Sequence, residues 1–93
     1  MTVPDTRAGR LGDALSQAFP GAAVTVRDDS HLHAGHSGAR PGGETHYAVR
    51  VVWEGFGGMS RVNRQRAVNA AAAPEFNSGL HALAIEAKAP GEG

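Results

Sequence analysis

Apolar residues recur along the chain with two different spacings, and these spacings separate helical segments from extended ones. Before Pro20 they return at intervals of three and four residues, which is typical of the apolar face of an amphipathic helix. The positions on this face are Leu11, Ala14, Leu15, Ala18 and Phe19. Asp5 and Thr6 precede it as suitable N-cap residues, and Pro20-Gly21 ends it, because proline lacks an amide proton and glycine accepts the helix-ending conformation.

Three segments show the composition and alternation of β-strands. The sequence predicts a first strand from Ala22 to Arg27, a second from about Glu44 to Trp53 and a third from Leu80 to Lys88. In the second strand the side chains expected to face the core are Tyr47, Val49, Val51 and Trp53. The side chains expected on its wetter face are His46, Ala48, Arg50 and Val52.

A second helix is predicted between the last two strands. Ser60 is a plausible N-cap, and the helix runs from Arg61 to about Ala73, because the residue before Pro74 disfavours helical geometry. The order helix, strand, strand, helix, strand predicts an α+β fold, with a small mixed three-stranded sheet and helices on one face. A chain of 93 residues is enough for one domain, residues 1–93, in which we expect residues 1–5 and 89–93 to be disordered.

The longest segment without a hydrophobic period runs from Asp28 to Tyr47 and is predicted to be a loop. It contains four of the five histidines, namely His31, His33, His36 and His46. Imidazole is a common ligand for zinc, copper, iron and nickel, so the loop is a candidate metal or ligand site. These histidines match no HExxH or zinc-finger spacing, and a polar loop that merely contains histidines is an equal interpretation. The fifth, His81, begins the third strand, where it is either a simple polar residue or is brought to the loop by strand pairing.

Composition and charge narrow the classes of function. The absence of cysteine excludes disulfides, a cysteine nucleophile, a zinc ribbon and a self-sufficient iron–sulfur site. Nine basic and nine acidic residues give a formal charge of zero, which argues against tight sequence-blind binding of nucleic acid. No apolar run is long enough to span a bilayer and no signal-peptide segment begins the chain, so we expect a soluble, cytoplasmic protein without a membrane partner. No catalytic motif of these classes is present.

A glycine-rich run and the basic residues after it form a second candidate site. The run Gly55-Phe56-Gly57-Gly58 favours a tight turn that needs positive φ over a phosphate cradle. Positive charge in the first half of the second helix opposes the helix dipole, which suggests an interaction role, although a solvated helix face is an equal interpretation. The residues predicted for this alternative nucleic-acid site are Gly57, Gly58, Arg61, Arg64 and Arg66.

Four motifs, in this order, resemble those of the BolA family. They are Asp28-Asp29-Ser30-His31-Leu32-His33, Gly42-Gly43-Glu44-Thr45-His46-Tyr47, Phe56-Gly57-Gly58-Met59-Ser60 with Arg64-Gln65-Arg66, and Leu80-His81-Ala82-Leu83. The resemblance runs from the first helix to the third strand and implies an α+β fold related to class II KH domains. The chain departs from the family at Gln65, where histidine is usual, and in a rather long loop with an extra histidine, His36.

The resemblance implies a non-enzymatic protein that pairs with a monothiol glutaredoxin. The two would share a 2Fe–2S cluster, with glutathione, in cluster trafficking or iron regulation. The implied ligands of this chain are His81 and His33, the loop histidine that aligns best, with His31 and His36 as alternatives. The lack of cysteine fits, because the partner and glutathione would provide thiolates, and histidine replaces cysteine on one iron of Rieske centres. Some family members are described as DNA-binding regulators, so transcription regulation is the alternative; alone, we expect a monomer or weak homodimer.

Overall fold

The computed structural model describes residues 6–29 and 46–92. It confirms the predicted α+β fold, with a mixed three-stranded sheet and helices packed on one face. In chain order the elements are α1 (Arg7–Ala18), β1 (Ala23–Asp28), β2 (His46–Val52), a 3₁₀ turn (Glu54–Phe56), α2 (Arg61–Ala71), α3 (Ala73–Asn77) and β3 (Ala82–Lys88). Thr6 caps α1 as predicted, since its hydroxyl accepts a hydrogen bond from the Gly9 amide at 3.1 Å.

The sheet has the strand order β1-β2-β3, with β2 in the centre. β1 pairs with β2 in antiparallel fashion and β3 pairs with β2 in parallel. Val49 of β2 lies opposite Val26 on one side and Ile85 on the other. Because side chains alternate across a strand, this register places three apolar side chains in one row of the core face.

The core lies between this face and the helices. Leu15 and Phe19 of α1 pack with Val51 of β2, Phe56 of the 3₁₀ turn and Val68 of α2. All of these side chains are buried. The predicted alternation of β2 is confirmed for Tyr47, Val49 and Val51, which are almost completely buried.

Trp53 reaches the core from just beyond β2, where we predicted it as part of the strand. The strand ends at Val52, and the indole packs on Phe19 and Phe56 with ring centroids 5.1 and 5.2 Å apart. Its Nε1–H donates to the Pro20 carbonyl at 3.0 Å, which fastens the end of β2 to the turn after α1. The side chain is only half-buried, because one edge of the large ring stays at the surface.

The helical segment before β3 differs from the prediction. We expected one helix ending at Pro74, but α2 ends at Ala71 and a separate short helix, α3, begins at Ala73. Pro74 lies in the first turn of α3, where the missing amide proton has no intrahelical partner to lose. The proline therefore starts a helix here instead of only stopping one.

The end of the chain also differs from the prediction of disorder over residues 89–93. Residues 89–92 form a turn in which the Glu92 amide donates to the Ala89 carbonyl at 3.2 Å, and Ala89 is buried against the core. The Glu92 carboxylate accepts from the Ala89 amide at 3.0 Å and pairs with Arg64. We judged this segment from its glycine and proline content, which does not reveal that its glutamate meets an arginine. Gly93 and residues 1–5 lie outside the described residues.

Candidate metal centre

Three chain segments meet at one edge of the sheet, namely the edge formed by the last residues of β1 and the first residues of β2 and β3. The last residue of β1, Asp28, lies opposite Tyr47 near the start of β2, and His46 lies opposite Ala82, the first residue of β3. The Asp29 amide donates to the His46 carbonyl at 2.8 Å, so the pairing extends one residue beyond β1. Both ends of the segment 30–45, which carries the loop histidines, are therefore attached at this edge.

Two imidazoles stand side by side at this edge. His46 begins β2, and His81 immediately precedes β3, which is the neighbouring parallel strand. Their ring centroids are 5.8 Å apart and their planes are inclined by 26°. The His81 side chain is exposed and that of His46 is half-buried. The sequence left open whether His81 reaches the histidine loop, and the structure places it beside the residue where that loop rejoins the sheet.

The position of His81 is fixed by the turn that precedes it. Gly79 has a φ of 124°, a conformation that side-chain-bearing residues rarely adopt, and it turns the chain from α3 toward β3. Leu80 is buried, and its amide donates to the Glu75 carbonyl at 2.9 Å. His81 thus follows a residue anchored in the core, while its own side chain reaches solvent.

An ion-pair network between α1 and the end of α3 holds the same turn. The Arg7 guanidinium donates to the carboxylate of Glu75 at 3.1 Å, to its carbonyl at 2.8 Å, and to the hydroxyl and carbonyl of Ser78 at 2.9 and 3.2 Å. Arg10 adds a bidentate contact to the Glu75 carboxylate, with both distances 3.1 Å. α1 is thereby tied to the segment that leads into His81. We did not predict this network, and the presence of Arg7, Arg10 and Glu75 in the sequence gives no sign that they meet.

The predicted loop ligands His31, His33 and His36 lie outside the described residues. Their assignment as ligands stays a prediction. Among residues 6–29 and 46–92, no group of three or more histidine, cysteine, aspartate or glutamate side chains is arranged to hold a metal ion. In this part of the chain the candidate metal centre consists of the exposed His81, with His46 beside it.

The glycine run forms the tight turn favoured by the sequence. Gly58 has a φ of 82°, whereas Gly57 has an ordinary φ of −58°. Gly55 is required for a different reason, since a Cβ atom there would overlap the Trp53 ring. Ser60 caps α2 as predicted, with its hydroxyl accepting from the Asn63 amide at 3.1 Å.

The basic residues of α2 divide into two kinds. Arg61 and Arg66 are exposed, but the Arg64 side chain is only 14% exposed. Arg64 donates to the Met59 carbonyl at 3.1 Å, to the Ala87 carbonyl at 3.3 Å and to the Glu92 carboxylate at 2.9 Å. The sequence suggested Arg64 as a nucleic-acid contact, and the structure instead gives it partners within the fold.

The electrostatics of Arg64 and Glu92 reflect this pairing. The hydrogen bond from Arg64, followed by the one from the Ala89 amide, lowers the pKa of Glu92 to about 2. The same hydrogen bond, donated to the Glu92 carboxylate, raises the pKa of Arg64 above its usual value. Next to it, the Gln65 amide donates to the Ile85 carbonyl at 3.2 Å, so two consecutive side chains of α2 bond to β3.

Comparisons with known proteins agree with the motifs. A family model described as BolA-like protein matches residues 15–92. A Sinorhizobium protein, named as an uncharacterized protein in the cobS 5' region, is 49% identical over 79 residues, which cover 84% of this chain and 85% of that protein. The chloroplastic protein BOLA1 of Arabidopsis thaliana is 39% identical over 90 residues, covering 95% of this chain and 56% of that protein. The chain therefore spans just over half the length of the BOLA1 protein.

Solved structures give the same result for the fold. The structure of BolA1 from Arabidopsis thaliana has a TM-score of 0.83 at 36% identity, covering 98% of this chain and 99% of that one. The BolA domain of SufE1 from the same plant has a TM-score of 0.80 at 37% identity, covering 96% of both chains. In the described part of the chain no helix is both long enough and apolar enough to cross a bilayer. The BOLA1 name places that relative in the chloroplast, so a cytoplasmic location for this chain stays a prediction.

Proposed function

This chain belongs to the BolA-like family, and we propose that it is a non-enzymatic adaptor for iron–sulfur cluster transfer. It forms a complex with a monothiol glutaredoxin and shares a 2Fe–2S cluster with that partner and its glutathione. The cluster is the cargo of this complex. The partner and glutathione contribute thiolates, and this chain contributes imidazole nitrogen, as the resemblance to the family implied.

One observation carries the proposal: His81 is exposed at the sheet edge to which both ends of the histidine-bearing segment are attached. The donor chemistry fits, because histidine serves as an iron ligand in 2Fe–2S centres of the Rieske type. The chain has no cysteine, and its described residues contain no group of three potential ligands. Because the chain has no cysteine, the thiolate ligands of the cluster would come from a second protein and glutathione.

Covalent geometry supports a role for the loop as well. His33 follows Asp29 by four residues, and an extended chain advances at most about 3.3–3.6 Å per residue. Covalent geometry therefore allows His33 to reach the part of the sheet beside His81.

Coexpression with a monothiol glutaredoxin tests the proposal. We expect a coloured complex with the absorption and visible circular dichroism of a 2Fe–2S cluster, and a colourless protein when the chain is expressed alone. His81→Ala should change the visible circular dichroism and accelerate cluster loss, whereas Asn69→Ala, at an exposed position of α2, should do neither. A colourless coexpression product would contradict the proposed function, and an unaltered spectrum for His81→Ala would contradict the ligand assignment.

No observation favours the alternative of a DNA-binding regulator. The formal charge is zero, and Arg64 is engaged by Glu92 and by two backbone carbonyls. Sequence-independent DNA binding depends on several cations that are available to phosphates. We therefore carry the adaptor alone as the proposed function.

A further inference from the structure

We propose that two copies of this chain associate through the outer side of β1, which is the long side of that strand facing away from β2. The two β1 strands pair in antiparallel fashion about a twofold axis at Thr25, and the two sheets join into one continuous sheet. The inference goes beyond the proposed function and does not depend on it, because it uses no histidine and no metal ion. The partner that it assigns to this surface is a second copy of the same chain.

The outer side of β1 carries unused hydrogen-bonding groups of the main chain. The Asp29 amide donates to the carbonyl of His46, the residue that the register places opposite it. Along an antiparallel strand, main-chain groups that face one neighbour alternate with groups that face the other side. Those of Thr25 therefore face β2, and those of Val24 and Val26 face outward. No described residue bonds to the amide or carbonyl of Val24 or Val26, so β1 offers both donors and acceptors to another strand.

The strand at the opposite side of the sheet, β3, is protected against such pairing. Side chains of α2 occupy carbonyl groups on its outer side. The Gln65 amide donates to the Ile85 carbonyl at 3.2 Å. The Arg64 guanidinium donates to the Ala87 carbonyl at 3.3 Å. Outer strands are also commonly protected by proline or lysine, and β1 contains neither. In the described part of the chain only β1 is open, so pairing about a twofold axis closes as a dimer and does not continue into a fibre.

The sequence of β1 complements itself when the twofold axis passes through Thr25. In this register the amide and carbonyl of Val24 bond to those of Val26 in the second copy, and the reverse. Thr25 lies opposite its own copy and Arg27 lies opposite Ala23, so no like charges face each other. An axis at Arg27 would oppose two guanidinium groups, and an axis at Val26 would place the Val24 side chain opposite a carboxylate. The axis at Thr25 avoids both.

The helical layer leaves room for the second copy. A twofold axis normal to the sheet keeps the helices of both copies on the same face, so the two α1 helices become neighbours. A Cβ atom on Gly12 of α1 would lie 3.9 Å from the Val26 Cγ2 atom, which shows that this side of the helix lies over β1. Ser16 follows one turn later on the same side and is exposed. Small residues at this position allow two helices to approach to the usual distance of about 8–10 Å.

Disulfide formation tests the pairing even when association is weak. The chain has no cysteine, so Thr25→Cys introduces a single thiol. Residues opposite each other at non-hydrogen-bonded positions have Cα atoms about 4.5 Å apart, within the range of roughly 4.4–6.8 Å that a disulfide bridges. With diamide as the oxidant, which accepts the two protons and two electrons, we expect Thr25→Cys to form a covalent dimer at least tenfold faster than Ala84→Cys. Ala84 is exposed on the same face of the sheet, but on β3.

Charges placed at the axis test the register in solution. Two short strands bury less area than a standard interface, so we expect dimers of the unaltered chain at about 0.1–1 mM protein in sedimentation equilibrium. Thr25→Lys and Thr25→Glu each oppose two like charges and should weaken dimerisation at least tenfold. An equal mixture of the two variants should restore the dimer, because opposite charges then face each other. The controls Ala84→Lys and Ala84→Glu should dimerise like the unaltered chain.

Three results would each overturn the inference. The first is an unaltered chain that stays monomeric over this concentration range, as expected if the outer side of β1 instead receives an extended segment of a different protein. The second is cross-linking of Ala84→Cys as fast as that of Thr25→Cys. The third is a mixture of Thr25→Lys and Thr25→Glu that dimerises no better than either variant alone. Unchanged far-ultraviolet circular dichroism and melting temperature separate lost association from lost structure.

Discussion

Replacing Glu75 with glutamine should strongly destabilise the protein, because the change removes a carboxylate that is paired with a buried guanidinium. The side chains of Arg7 and Glu75 are only 9% and 10% exposed, and they meet at 3.1 Å. The Arg7 Nε atom is also buried without a hydrogen-bond partner. The two terminal nitrogens of this guanidinium donate hydrogen bonds to Glu75 and Ser78.

The expected loss follows from this geometry. Breaking a buried ion pair by removing one partner costs about 3–5 kcal/mol. We expect about 3 kcal/mol, the lower end of that range, because Arg7 keeps its bonds to the two carbonyls and the Ser78 hydroxyl. A domain of 93 residues has a free energy of unfolding of roughly 5–14 kcal/mol, so the loss is a large fraction of the total. For a domain of this size it corresponds to a fall in melting temperature of about 12–24 °C.

Urea unfolding followed by circular dichroism, together with calorimetry, measures the effect. The matched control is Glu86→Gln, which removes a carboxylate from an exposed ion pair. The side chain of Glu86 is 48% exposed, and that of its partner Arg50 is 57% exposed. That change should alter the free energy of unfolding by about 0–1 kcal/mol. Combining Arg7→Met with Glu75→Gln should cost less than the sum of the two single changes, because the charge left unpaired by one is removed by the other. If Glu75→Gln lowers the free energy of unfolding no more than Glu86→Gln does, burial does not increase the contribution of the Arg7–Glu75 pair to stability.

Two further predictions concern the C-terminal turn and the core. The pKa of Glu92 is lowered to about 2, so the stability contributed by its pair with Arg64 is fully present above the ordinary carboxyl value of 4.5 and is lost as the pH falls toward 2. Carbon-detected NMR titration should show this low pKa and its return toward 4.5 in Arg64→Ala; an ordinary pKa in the unaltered chain would contradict the pairing. Phe56→Ala removes a fully buried ring and should cost about 3–5 kcal/mol in urea unfolding, whereas a cost below about 1 kcal/mol would show that the ring is not part of the core.

The regular part of the fold was predictable because its signals are local. The three- and four-residue spacing that includes Leu11 and Leu15 produced α1, and the alternation around Val49 produced β2, since each pattern directly records which side is buried. The predicted helix bounds were wrong where one residue can have two opposite effects on a helix. Pro74 ends one helix and begins another, and the sequence does not show which effect prevails.

Partners distant in sequence were not predictable by the same means. We predicted Arg64 as a cation available to phosphate, because the sequence separation between Arg64 and Glu92 does not indicate that they are in contact. In the structure the two side chains form an ion pair, and Arg64 also bonds to β3. Arg7 and Glu75 are separated by 68 positions, and only the packing of α1 beside α3 brings them together. Nothing in the periodicity of a chain reports such contacts between charged side chains.

The candidate metal centre depends both on a local sequence motif and on contacts between residues that are distant in sequence. His81 was identified from a motif, but its proximity to His46 depends on the parallel pairing of β3 with β2 and on a register that places His46 opposite Ala82. A shift of that register by one residue would turn every side chain of β3 to the other face and move His81 about 3.3 Å along the strand. Leu83 and Ile85, which lie opposite Tyr47 and Val49 and pack against the core, favour this register. The apolar face of the sheet therefore determines which side chain lies beside His81.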